Sequence, residues 1–175
     1  MRTYIETSRL ILRDWKVEDL SLFAGINADP NVMEYFLKPL TVNETFAFYE
    51  RIQDELNNYG YGLFAVERKE DSCFIGYTGL HRFTFEADFS PNVEIGWRLA
   101  ANYWGHGYAP EAAAACLEFA KQSGLNEVYS FTSLQNVRSQ RVMQKIEMNL
   151  IKEFDHPLVP KDHPLLKHIL YCKRF

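Results

Sequence analysis

The sequence holds only three cysteines, Cys73, Cys116 and Cys172, widely spaced and odd in number. That pattern fits neither a disulfide framework nor a zinc site with paired ligands, so buried, reduced thiols are expected and no metal. There is no basic excess: 19 Lys and Arg stand against 23 Asp and Glu, a net charge of -4. Without a dense basic run to neutralise a phosphate backbone, nucleic acid is not an expected partner. No run of about 18 apolar residues offers a membrane span. The opening Met1-Arg2-Thr3-Tyr4-Ile5-Glu6 lacks the apolar core of a signal segment, so a cytoplasmic protein with no membrane partner is expected. Repeats, low-complexity tracts and Gly/Ser linkers are missing too, and residues 1–175 are read as one domain.

What is present is ample apolar material. The hydrophobic share is 47%, with 13 Phe, 10 Tyr and 3 Trp, enough to offset the entropy of ordering a chain of this length. Its periodicities mix strands with helices. Arg9 to Arg13 reads as a strand, and Leu20, Phe23, Ala24 and Asn27 then recur at helical spacing between Val17 and Asn27. Thr41-Val42-Asn43-Glu44 has the form of a capping box opening a helix that stops near Gly60. Strands over Gly62–Glu67, Cys73–Phe83 and Val93–Leu99 form an expected antiparallel meander. Ala109, Ala112, Ala113, Cys116, Leu117 and Ala120 mark a helix with Pro110 in its first turn and Gly124 at its end. A strand at Val128–Thr132, a helix near Arg138–Lys145, and strands at Met148–Phe154 and His168–Lys173 complete an α+β pattern.

The turn Trp104-Gly105-His106-Gly107 is the most informative segment, because a strand leads in and a clean helix leads out. The first N–H groups of a helix lack intrahelical partners and carry the positive end of its dipole, while glycines let a phosphate approach the backbone. A pyrophosphate suits such a turn. The dinucleotide fingerprint fails, since position 110 is Pro where a third glycine is needed, and no P-loop Lys-Ser/Thr follows Gly107. A plain tight turn is the alternative.

Taken with its neighbours, this loop resembles the acetyl-CoA signature of the GNAT superfamily, Gln/Arg-x-x-Gly-x-Gly/Ala before a central helix. The likeness extends to Arg9-Leu10-Ile11-Leu12-Arg13, Phe74-Ile75-Gly76-Tyr77-Thr78-Gly79-Leu80, Glu94-Ile95-Gly96-Trp97-Arg98-Leu99, Tyr103 to Ala109 and Asn136-Val137-Arg138-Ser139. These are similar to the Rim-type branch, which includes the ribosomal-protein N-acetyltransferases. Phe154-Asp155-His156-Pro157 with His163-Pro164-Leu165 is similar to a bacterial subgroup of that branch.

The resemblance implies a GNAT fold: a mostly antiparallel mixed sheet of about seven strands with helices on both faces. The strand at Val93–Leu99 would splay from that at Val128–Thr132 to admit the pantetheine of acetyl-CoA. It implies transfer of an acetyl group to a primary amine, a protein or peptide N-terminus or a small molecule, by direct attack in a ternary complex. A CoA-binding sensor without chemistry is the alternative. Ile95, Gly96 and Trp97 would meet the pantetheine, and Trp104, Gly105, His106, Gly107, Tyr108 and Ala109 the pyrophosphate. Asn136 and Ser139 would stand on the cofactor side, Ser139 as a hydrogen-bond or proton donor to the thiolate; helix capping is the plainer role for both.

For the base, Glu94 is the first candidate, because apolar Val93 and Ile95 flank it and would raise its pKa; a solvated strand carboxylate is the alternative. His81 is the second candidate, with polar surface as its plainer reading. Two positions depart from the family pattern: Met143 and Gln144 stand where many members place a thiolate-protonating Tyr, and Glu147 stands where Gly is usual. Asn31–Leu40 and Asp155–Lys167 are expected to frame the acceptor site. Monomer and homodimer both remain open, since an exposed edge near the C-terminal strands would permit pairing.

Overall fold

The computed structural model describes all of residues 1–175. Its strands are β1 (Thr3–Glu6), β2 (Leu10–Arg13), β3 (Leu63–Arg68), β4 (Cys73–Phe83), β5 (Asn92–Leu99), β6 (Glu127–Ser133), β7 (Asn149–Asp155) and β8 (Lys167–Arg174). The helices are α1 (Asp19–Ala28), α2 (Val42–Tyr59), α3 (Tyr108–Gln122) and α4 (Val137–Lys145), and a 3-10 turn covers Ala101–Tyr103. All eight strands lie in one sheet, in the order β1-β2-β3-β4-β5-β6-β8-β7. Every neighbouring pair is antiparallel except β5 and β6, which run parallel. The strand beyond the expected seven is β1, a four-residue edge paired with β2 through an irregular register and too short to leave an alternating pattern.

Local chemistry explains the boundaries. Glu44 N–H donates to the Thr41 hydroxyl at 3.2 Å and Thr41 N–H to the Glu44 carboxylate at 2.8 Å, so the capping box opens α2 as its sequence dictates. Gly60 closes that helix in the left-handed conformation. The first helix starts at Asp19, two residues after the expected Val17, because the Asp19 carboxylate is engaged by Lys16 N–H and by Arg13. Those bonds hold residues 16–18 in a turn.

Arg13 is 1% exposed and anchors this corner. Its guanidinium meets Asp19 at 2.7 and 3.1 Å and donates from Nε to Glu67 at 2.6 Å, while Lys16 reaches Glu67 at 2.8 Å. The cluster ties β2 and β3 to the start of α1. Burial alone would raise the Glu67 pKa, but Lys16 and Arg13 outweigh it and hold the carboxyl below its ordinary value.

The helices lie on both faces. α1 and α2 pack together over one, with Phe23 and Phe48 against Tyr77. α3 fills the other, its Ala112, Ala113, Cys116 and Ala120 wholly buried, so small side chains let it lie close to the sheet. Cys116 and Cys172 are buried as expected, while Cys73 at the start of β4 is only half-buried.

Candidate active site

The central parallel pair is nearly unmade. Glu94 opposite Tyr129 is its single register point, and from there β5 and β6 diverge. A cavity of about 700 Å³ opens along the divergence, lined by β5, the 104–110 loop, α4, the α1–α2 connection and the loop before β8. Main-chain groups along an antiparallel strand alternate sides. The Ile95 carbonyl points across the gap, where the Ser130 hydroxyl donates to it at 3.0 Å, so the N–H and C=O of Trp97 face the gap too. No residue of β6 is in register with Trp97.

At the far end of β5 lies the glycine turn expected to cradle an anion. Gly105 and Gly107 take φ of 80° and 81°, a region open to glycine at no steric cost. Gly107 stands at the N-cap of α3, so no side chain caps the first N–H groups of the helix. Trp104, Gly105, Gly107, Tyr108 and Ala109 line the cavity. The His106 side chain does not: it stacks on Tyr108 with ring centroids 5.7 Å apart, and only its carbonyl is used, accepting from Arg9 at 2.9 Å. The acidic Glu111 in the first turn of α3 is drawn off by Thr7 at 2.6 Å and by Arg9, so it does not oppose an anion at the cradle. Two cations absent from the sequence reading, Arg141 and Lys145, line the cavity one helical turn apart on α4.

Glu94 projects from β5 into the cavity on the α1–α2 side of the sheet. Burial pushes its pKa up to about 7; the charge of His81 pulls the other way and that of Glu55 adds to the rise. His81 stands in register opposite Glu94 on β4 but does not line the cavity. Its Nδ1 is held by the Glu55 carboxylate at 2.9 Å. Burial lowers the His81 pKa, but the Glu55 hydrogen bond and the Glu94 charge overcome it, leaving a net rise. Each of the two side chains thus favours the charged form of the other.

Asn136 is occupied at both ends. Its side-chain oxygen accepts from Ser139 N–H at 3.1 Å, capping α4, and its amide donates to Thr132 at 3.0 Å. The cap fixes Ser139 on the cavity wall. Met143 is buried in the core and Gln144 turns to the Tyr171 hydroxyl, so neither replaces the tyrosine that those positions lack. Glu147 adopts φ of 58°, the left-handed conformation that a glycine would take there.

Of the segment expected to frame the acceptor, Val32, Tyr35, Phe36 and Leu37 line the cavity, and Glu34 pairs with Arg138 of α4 at 2.5 Å. His156 and His168 line it as well, with ring centroids 4.8 Å apart beside Phe131 and Phe154. Burial and the neighbouring His168 bring the His156 pKa down to about 4. Its Nδ1 accepts from Leu158 N–H, so the neutral ring carries its proton on Nε2 and serves as a donor. His163 is turned into its own loop, accepting from Leu165 N–H.

Residues 9–149 match the family model described as the acetyltransferase (GNAT) domain. The chain is 31% identical to the uncharacterized N-acetyltransferase YnaD of Bacillus subtilis (strain 168), over 83% of this chain and 82% of that one. It superposes on the crystal structure of a GNAT-family acetyltransferase from Bacillus anthracis with a TM-score of 0.80 at 26% identity, covering 97% of each chain. Mycobacterium smegmatis RimJ, solved in complex with CoA-disulfide, shares the fold with a TM-score of 0.75 at 16% identity, covering 94% of this chain and 81% of that one.

Proposed function

The chain belongs to the GNAT acetyltransferase family and is an N-acetyltransferase, and on that premise we propose that it moves the acetyl group of acetyl-CoA directly to a primary amine. The observation that carries the reading is the placement of Glu94, a carboxylate with a pKa of about 7, beside the opening between β5 and β6. The glycine turn at the other end of that opening suits a pyrophosphate, and the CoA-disulfide held by RimJ, which shares the fold, supports a CoA donor here.

In this reading the 104–109 loop holds the pyrophosphate, Arg141 and Lys145 add positive charge, and the free edge of β5 pairs with the pantetheine arm. Gap-facing N–H groups of β5 polarise the thioester carbonyl. Glu94, ionised, takes a proton from the attacking amine directly or through one water. The amine nitrogen bonds to the carbonyl carbon, the carbon–sulfur bond breaks, and Ser139 donates a hydrogen bond or proton to the departing thiolate. Positioning can supply roughly 7 to 11 kcal/mol, the base about a hundred- to ten-thousand-fold.

Free-thiol release from acetyl-CoA, measured over a panel of peptides, polyamines and other amines, tests the reading. Amine-dependent release is expected from the wild type and none from Gly107→Trp, whose side chain blocks the cradle. A folded wild type that neither binds CoA nor releases thiol sinks it.

A further inference from the structure

Two arginines are buried, and they contrast. Arg13, 1% exposed, is matched by Asp19 and Glu67, whereas Arg98, 8% exposed, forms no ion pair. Its single protein hydrogen bond runs from NH1 to Asn27 Oδ1 at 2.6 Å, and its buried Nε has no partner. Asn27 is itself fixed, donating to Thr45 at 3.2 Å, so it holds the guanidinium in place without neutralising it. The remaining neighbours are aromatic faces: Phe36, Tyr77 and Phe48 at 4.3, 5.4 and 5.7 Å from the guanidinium carbon. π faces offset only part of what a buried charge loses on leaving water. The cation is therefore left to be matched by something else, and it borders the cavity.

Resting on the transfer reading above, we infer that Arg98 is the recognition group for an anionic substituent, a carboxylate or a phosphate, on the acceptor amine. Side chains two and four residues apart on a strand share a face, so Glu94, Gly96 and Arg98 point to the same side. A side-chain carbon built on Gly96 would meet nothing within 4 Å, which leaves room across the strand between base and cation. An acceptor lying there presents its amine to Glu94 and its anion to Arg98. The guanidinium keeps Nη2 without a protein partner for an anion oxygen, while its Nε is buried. The phosphates of the donor are not the anion in question: Arg98 faces α1 and α2, opposite α3, whose N-terminus forms the cradle.

The test compares matched amines on the full chain: an amino carboxylate against its amide, and an amino phosphate against its alcohol, with wild type, Arg98→Lys and Arg98→Met. The wild type is expected to favour the anionic member of at least one pair by about tenfold to a hundredfold in kcat/KM, as a charge-assisted hydrogen bond would give. The pair that responds tells carboxylate from phosphate. In Arg98→Met that ratio falls to near one, and in Arg98→Lys it is intermediate. Equal rates for both members of both pairs in the wild type, or a ratio that survives Arg98→Met, overturns the assignment.

Calorimetric binding of the same pairs in the presence of CoA gives an arm that needs no turnover. If no amine releases thiol, the transfer reading fails while anion-selective, Arg98-dependent binding still upholds the site. If neither member binds selectively, the site falls. Because the wild-type comparison stands alone, a variant that fails to fold does not remove the test.

Discussion

Glu94 on β5 and His81 on β4 stand in register across neighbouring strands, and Glu55 of α2 grips the imidazole from behind. Burial raises the Glu94 pKa, the charged form of His81 opposes that rise, and the value stands at about 7.

The pH–rate profile should follow that carboxyl. A base works when ionised, so kcat/KM is expected to rise with pH through about 7 and then level off. Glu94→Gln should remove this limb and lower the rate by about a hundred- to ten-thousand-fold. His81→Gln, which deletes the imidazole whose charged form lowers the Glu94 pKa, should move the limb to higher pH. Rates measured from pH 5 to 9 would decide; a limb that stays in place in Glu94→Gln would remove Glu94 from the mechanism.

Arg141 and Lys145 line the same cavity as the glycine turn. Replacing both by Ala should weaken acetyl-CoA binding by about tenfold at low salt, with the gap to wild type narrowing as ionic strength rises. Titration calorimetry at two salt concentrations separates this from a structural effect, which salt would not relieve.

Asp19→Ala should be among the most damaging single changes. It leaves the Arg13 guanidinium, 1% exposed, without its two-bonded partner. Breaking a buried pair from one side costs about 3 to 5 kcal/mol. Urea denaturation is expected to show a loss in that range.

Glu147→Gly should stabilise the chain by about 1 kcal/mol, since φ of 58° is costly for a residue with a Cβ. The contact given up, Lys173 to an 86% exposed carboxylate at 3.4 Å, offsets little. A melting temperature that falls would show that the Lys173 contacts outweigh the backbone strain.

Reading the sequence captured what is local or carried by a shared motif. The capping box at Thr41 and Glu44, the alanine face of α3 and the glycine turn before it were legible because each is a short pattern with a direct backbone consequence. Contacts between distant segments were not. Arg98 lay inside a quoted motif, yet its partner there is Asn27, 71 residues away, and that no carboxylate pairs with it is visible only in the folded chain. His81 reads as a free imidazole until Glu55 on another element is seen to hold it. His106 sits inside the loop motif, but the stacking of its ring on Tyr108 turns it out of the cavity. Arg141 and Lys145 gave no signal beyond a pair of charges at helical spacing.

The single register point between β5 and β6 bears on folding as much as on binding. With one bridge, the eight strands fall into two antiparallel ladders, β1–β5 and β6–β8, that meet at a seam. Amide protons along the seam should exchange with solvent well before those of the ladders on either side. In the proposed reading a donor arm laid into the opening would complete the missing ladder as an extra strand made of ligand. Binding there would then add to the stability of the fold: donor at a hundred times its Kd would contribute about 2.7 kcal/mol.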